Sequence, residues 1–145
     1  MSTLERAIAL AASFHSGQLD KAGAPYILHP LRVMLRMTTP DEQIAAVLHD
    51  VIEDCGVTAD ALLAKGFEPQ VVAAIVALTK QTRNGVEEPY DAFIARVALH
   101  PLARRVKLAD LADNLDLSRI GSPTAKDLAR SEKYRRAQQV LLAAG

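Results

Sequence analysis

The sequence predicts an all-α fold, and three observations carry the prediction. Ala and Leu are abundant, while Gly and Pro number only seven each and Trp is absent, a mix that favours helices over a β-sandwich. Apolar residues recur at helical spacing. Cap and turn residues punctuate those stripes at intervals suited to short helices, about eight in all. With 145 residues, half of them hydrophobic, a single domain over residues 1–145 is expected. A chain of this length buries roughly 70% of its unfolded surface.

Ser2 and Glu5 have capping-box spacing, and Leu4, Ala7, Ile8, Ala11 and Ala12 form an apolar stripe, so the first helix is expected from about Thr3 to Ser16. A loop with Gly17, Gly23 and Pro25 follows. Pro30 then opens a second helix through Leu31, Val33 and Met34, with His29 just ahead of its start. Thr39-Pro40-Asp41-Glu42 opens the third, which is expected to run through Leu48 and stop near Cys55-Gly56.

Thr58 caps a short fourth helix ended by Gly66, and Glu68-Pro69 starts a fifth, apolar enough to be nearly buried. Thr79 to Glu88 is polar with Asn84-Gly85 at its centre, the best candidate for a mobile loop. Pro89 begins the sixth helix, Pro101 the seventh, and after Gly121-Ser122-Pro123 the last ends at Leu141-Leu142.

Acidic and basic residues balance at 17 each, so no global field points to polymeric nucleic acid or a membrane surface. The longest apolar run, Val71 to Leu78, is too short to span a bilayer. Ala7 to Ala12 follows Glu5 and Arg6 and is shorter than a usual signal core. The lone Cys55 excludes an intrachain disulfide framework and fits a reducing compartment, so a cytoplasmic protein is expected.

The chemistry is concentrated in Leu48-His49-Asp50-Val51-Ile52-Glu53-Asp54, where four polar residues alternate with apolar ones. At about 100° per residue, adjacent His49 and Asp50 can converge on one ion, and Glu53, four positions after His49 and three after Asp50, is expected on the same face of the helix. Lys107 to Asn114 supplies Asp110 and Asn114 at spacing four. With His29 and the His49-Asp50 pair, Asp110 completes a set of two imidazoles and two carboxylates, which suits Mn²⁺, Fe²⁺, Co²⁺ or Zn²⁺ better than Mg²⁺ or Ca²⁺.

The runs Phe14 to Gln18, Lys21 to Pro30, Leu48 to Asp54, Gly66-Phe67, Leu78 to Lys80 and Lys107 to Asn114 resemble, in order and spacing, the HD-domain (p)ppGpp hydrolases. These are the hydrolase half of RelA/SpoT-type proteins and their small stand-alone relatives. The resemblance implies a compact HD-type helical bundle with one Mn²⁺ per chain, held by His29, His49, Asp50 and Asp110. It implies removal of the 3′-pyrophosphate of a guanosine nucleotide, with Glu53 and Asp54 activating or orienting the attacking water. Asn114 matches a position near the ribose and phosphates, and Lys21 one beside the base; Tyr26 is expected to contact substrate or pack beside it.

Two positions depart from the family pattern: Asp20 stands where an Arg usually packs on guanine, and Leu117 where a Thr is usual. They motivate an alternative, hydrolysis of another nucleotide phosphate. A catalytically silent nucleotide-binding signalling domain is the third reading, and retained Glu53 and Asp54 argue against it. His15 is expected either to touch substrate or to hydrogen-bond within the first loop. Asp113 is expected to face solvent, Cys55 to be structural and His100 to lie in a loop. The oligomeric state is left open.

Overall fold

The computed structural model describes residues 2–145. Nine helices occur among them: α1 (Leu4–Phe14), α2 (Leu28–Leu35), α3 (Pro40–Val47), α4 (Val51–Cys55), α5 (Ala59–Ala64), α6 (Pro69–Ala77), α7 (Tyr90–Ala98), α8 (Pro101–Leu115) and α9 (Ala125–Ala144). One antiparallel hairpin, β1 (Thr82–Arg83) with β2 (Val86–Glu87), sits between α6 and α7. The helical class is as expected. No described helix is long and apolar enough to cross a membrane.

The caps explain most helix starts. Thr39 accepts from the Glu42 N–H while the Glu42 side chain returns to the Thr39 backbone, and Thr124 and Asp127 repeat this box at α9. At α1 the cap is Thr3 rather than Ser2; the Ser2 hydroxyl instead donates to the Lys65 carbonyl, tying the N-terminal segment to the end of α5. His100 caps α8, its Nδ1 accepting from the Ala103 N–H at 3.2 Å, so it belongs to a helix boundary.

Helices α3 and α8 form the centre. α3 packs against α1, α2, α6 and α8, and α8 also packs against α2, α6, α7 and α9. Ala45, Ala46, Val47 and Leu48 are wholly buried, as are Val106 and Leu111. Removing one such large side chain costs about 2–5 kcal/mol. The Arg105 guanidinium meets the Glu42 carboxylate at 2.5 Å and pins the start of α3 to α8.

Three sequence expectations change. The third helix is two helices, α3 and α4, separated by Leu48-His49-Asp50. The α6 helix, expected to be nearly buried, shows Ala73 and Val76 to solvent. Thr79 to Glu88 is not an open loop: Asn84 (φ 52°) and Gly85 (φ 75°) form the two-residue left-handed turn that matches strand twist, closing β1 on β2. The Glu88 N–H donates back to the Gln81 carbonyl and closes the segment.

Candidate metal centre and adjoining cavity

The break between α3 and α4 shapes the site. Leu48 (φ −102°, ψ 3°) leaves the helical region and Asp50 (φ −103°, ψ −2°) sits at its edge. Both the backbone N–H of His49, at 3.3 Å, and its Nδ1, at 2.5 Å, donate to the Ala46 carbonyl. A continuing α-helix would have offered that carbonyl to Asp50, so the side chain competes with the ladder and ends it. Glu53 and Asp54 therefore occupy the first turn of a new helix, where the dipole favours acids, and not the C-terminal turn of an old one. Glu53 does not share a continuous helical face with His49.

His29 lies in the first turn of α2, one residue inside the helix rather than ahead of it. Its Nε2 is 2.8 Å from Asp110 Oδ1, and His49 Nε2 is 3.4 Å from the same oxygen and 3.1 Å from Asp50 Oδ2. One donor atom each from His29, His49 and Asp110 lies within 4.8 Å of the others, and all three side chains are buried. Asp50 joins them through His49.

Whether these residues suit a cation is answered by His49. Its Nδ1–H is committed to the Ala46 carbonyl, which leaves an Nε2 lone pair facing two carboxylates. That nitrogen is buried and, despite the short separations, makes no directed hydrogen bond. A divalent cation among the four groups reconciles lone pair and carboxylates, and the mixed N/O donor set fits a borderline transition metal. Without a cation, burial disfavours the charged imidazole, but Asp50 and Asp110 outweigh it and raise the His49 pKa well above its ordinary value.

An outer layer orients these groups. Asp113, expected to face solvent, is buried, its Oδ2 2.6 Å from His29 Nδ1. Arg32 holds both Asp113 oxygens, at 2.7 and 3.0 Å, which compensates burying the carboxylate. The signal was available: Asp113 follows Asp110 by three residues, so both project from one face of α8. Lys107 Nζ reaches Asp110 Oδ2 at 2.8 Å, Asn114 Nδ2 donates to Asp110 Oδ1 at 3.2 Å, and the Tyr26 hydroxyl donates to Asp50 Oδ2 at 2.5 Å.

Glu53 and Asp54 are exposed at the edge of this cluster. Glu53 Oε1 accepts the Lys80 backbone N–H at 2.9 Å, tying α4 to the segment after α6. Asp54 is pushed up to about 6, first by the partial desolvation it meets at the edge of the cluster and then by the neighbouring Asp50 and Glu53 carboxylates. A carboxylate so tuned can exchange a proton near neutral pH.

Beside the cluster opens a cavity of about 310 Å³. Lys21, Tyr26 and His29 line one side, Asn114 and Leu117 a second, and Arg130 and Tyr134 of α9 a third. The structure thus brings the three expected substrate contacts to one cavity. Asp20 also lines it, but its Oδ1 accepts the Ala22 and Ala24 N–H groups at 2.9 Å each, so it caps the turn that carries Lys21. His15 is buried with Nδ1 2.9 Å from Gln18 Oε1, a contact within the first loop, and the Cys55 thiol packs against it at 3.6 Å.

The family described as HD domain matches residues 7–140. A probable GTP pyrophosphokinase of Mycobacterium leprae is 31% identical over 150 residues, covering 97% of this chain and 18% of that protein. A guanosine-3′,5′-bis(diphosphate) 3′-pyrophosphohydrolase of Aquifex aeolicus is 32% identical over 120 residues, covering 77% of this chain and 17% of that protein. The chain thus spans less than a fifth of the length of these curated relatives. A solved structure described as a metazoan ortholog of SpoT that hydrolyses ppGpp superposes with a TM-score of 0.76 at 24% identity, over 99% of this chain and 85% of that one; at that identity the likeness carries the fold alone. With helices α1 to α9 inside or touching the matched span and the His-Asp pair at the α3–α4 break, the chain belongs to the HD-domain family.

Proposed function

We propose that this chain is a metal-dependent phosphohydrolase which removes the 3′-pyrophosphate of guanosine tetra- or pentaphosphate. The observation that carries the reading is the buried convergence of His29, His49 and Asp110, with Asp50 beside them, next to a cavity that His29 lines together with Lys21 and Asn114. The names of the relatives from Aquifex aeolicus and Mycobacterium leprae support the guanosine nucleotide as substrate. Residues 1–145 would act as one catalytic unit in the cytoplasm.

The four residues would hold Mn²⁺, which when bound lowers the pKa of water and offsets charge on phosphoryl oxygens. Asp54, its pKa raised toward neutral, would take a proton from the attacking water, and Glu53, anchored to the Lys80 N–H, would orient it. Water adds at phosphorus as the bond to the ribose 3′ oxygen breaks. That oxygen takes up a proton, and the products are GDP or GTP and pyrophosphate. Lys21 and Asn114 would position the nucleoside and its phosphates.

Purified protein with Mn²⁺ should release pyrophosphate from ppGpp. Asp50→Ala should lose both bound metal and turnover, whereas full activity after rigorous metal removal would overturn the mechanism. A second reading, another nucleotide phosphate as substrate, is favoured by Asp20, which here serves as a turn cap and offers no cation to a purine face. Preference for an adenosine or a 5′-phosphorylated substrate across a nucleotide panel would select it.

A further inference from the structure

Arg96 of α7 reaches across to the end of α6 and divides its guanidinium among three groups. Nη1 donates to the Ala77 carbonyl at 3.0 Å and Nη2 to the Thr79 carbonyl at 2.9 Å, backbone acceptors that the end of α6 leaves outside its own ladder. Nε and Nη2 also meet the two Glu88 oxygens, at 3.2 and 2.9 Å. Glu88 Oε1 in turn accepts the Gln81 N–H at 3.1 Å. Arg96 holds the Glu88 carboxyl below its ordinary range, so the pair stays charged at neutral pH. The buried Phe93 ring, one turn earlier on α7, lies 5.5 Å from the guanidinium carbon and braces it.

The Thr79–Lys80 peptide joins this clamp to the candidate centre. Its carbonyl accepts from Arg96, and its N–H, past the end of α6, donates to Glu53 Oε1 at 2.9 Å. The peptide is trans and planar, so fixing the carbonyl aims the N–H in the opposite direction. A cation on the carbonyl also polarises the unit and strengthens its N–H as a donor. Gln81, the next residue, is held through Glu88, so Lys80 is bracketed on both sides. Glu53 depends on that hold: its side chain is exposed on a helix of five residues, and the Lys80 N–H is its hydrogen-bond donor among the described residues. A free glutamate there would spread over several rotamers.

We infer that Arg96 is a positioning residue for the hydrolysis: through the Thr79–Lys80 peptide it holds the Glu53 carboxylate at the edge of the HD centre, where that acid orients water. The inference rests on the phosphohydrolase reading and extends it to a residue whose own hydrogen bonds all go to α6, the segment after it and Glu88. Arginine suits the task because one planar fork serves two carbonyls and a carboxylate together, which an ammonium cannot do.

Arg96→Gln, alone and combined with Glu53→Ala, tests the link. With Mn²⁺-loaded protein and a guanosine 3′-diphosphate, Arg96→Gln should lower kcat about tenfold or more, because small misplacements of reacting groups are costly, and leave KM and Mn²⁺ affinity unchanged. In the Glu53→Ala background the same substitution should change kcat by less than about twofold, since residues that act through one another are not additive. Equal losses in the two backgrounds would make Arg96 a structural residue only and overturn the inference. If Arg96→Gln does not fold, Glu88→Ala, which frees the Gln81 N–H, carries the test through the same two backgrounds. A readout independent of turnover is exchange of the Lys80 amide proton with solvent, followed by NMR. It should quicken at least about tenfold in Arg96→Gln and in Glu53→Ala while the amides of α8 keep their wild-type rates. Unchanged Lys80 exchange in Arg96→Gln would overturn the link. A Lys80 amide released by Arg96→Gln in a protein that turns over no guanosine 3′-diphosphate would keep the link to Glu53 and reject the substrate; turnover indifferent to Arg96 would do the reverse.

Discussion

Asp113 holds His29: its Oδ2 lies 2.6 Å from the imidazole Nδ1, and Arg32 fixes both carboxylate oxygens from the far side. The carboxylate keeps the Nδ1 proton on the ring and turns Nε2 toward Asp110. An outer carboxylate of this kind sets tautomer and ring orientation, and its loss typically lowers metal affinity 10–100-fold. Asp113→Asn should therefore weaken Mn²⁺ binding by about that factor, measured by competition against a chelating dye. Unchanged affinity would show that His29 is positioned by α2 alone.

Gly56 ends α4 at φ 70°, with open space where a Cβ would stand. The cost of Gly56→Ala is then conformational and not a clash, about 1 kcal/mol. Urea unfolding should report a loss of this size, with metal binding retained because Gly56 closes the helix end away from the donor atoms. A several-fold larger loss would point to rearrangement of Val51–Cys55.

Most helices were legible because caps, prolines and apolar stripes act locally: Thr39-Pro40, Pro69 and Pro101 mark their helices wherever the rest of the chain lies. His29, His49, Asp50 and Asp110 were legible as a group because residue type and order carry the family resemblance. What was not legible depends on partners remote in sequence. Asp113 shares a face of α8 with Asp110, which the spacing shows, but its burial against Arg32 and His29 depends on partners about 80 residues away. The α3–α4 break is invisible because Leu48 to Asp54 keeps helical spacing, and only the His49 ring, by taking the Ala46 carbonyl, ends the ladder. Asp20 reads as a lost cation but acts through a turn.

Asp54 should titrate near 6 in the metal-free protein, where burial, Asp50 and Glu53 raise it from the ordinary 3.8. The folded state then binds more protons than the unfolded chain between these two values, so the Asp54 contribution to stability falls as pH rises from 3.8 to about 6. Asp54→Asn should flatten that part of the stability profile and reduce turnover by about 10²–10⁴-fold, the usual worth of a general base. The carboxyl carbon resonance checks the titration directly; a midpoint at the ordinary value would remove Asp54 from proton transfer.

His29 and His49 set opposite pH slopes for stability and for metal binding. In the metal-free protein both pKa values are raised: burial opposes the charge, but Asp110 and Asp113 hold the proton on His29, and Asp50 and Asp110 hold it on His49. A histidine raised in the folded state contributes stability that is fully present below the unfolded value of 6.5 and lost as pH climbs through the folded one. Metal-free protein should thus become less stable as pH rises above 6.5. A cation needs the same nitrogens deprotonated, so its affinity should rise over that window, up to tenfold per pH unit for each proton expelled. Calorimetry of Mn²⁺ binding in buffers of different ionisation enthalpy counts those protons. Net proton release on binding is expected, and binding that releases none would mean that these imidazoles are not the groups that meet the metal.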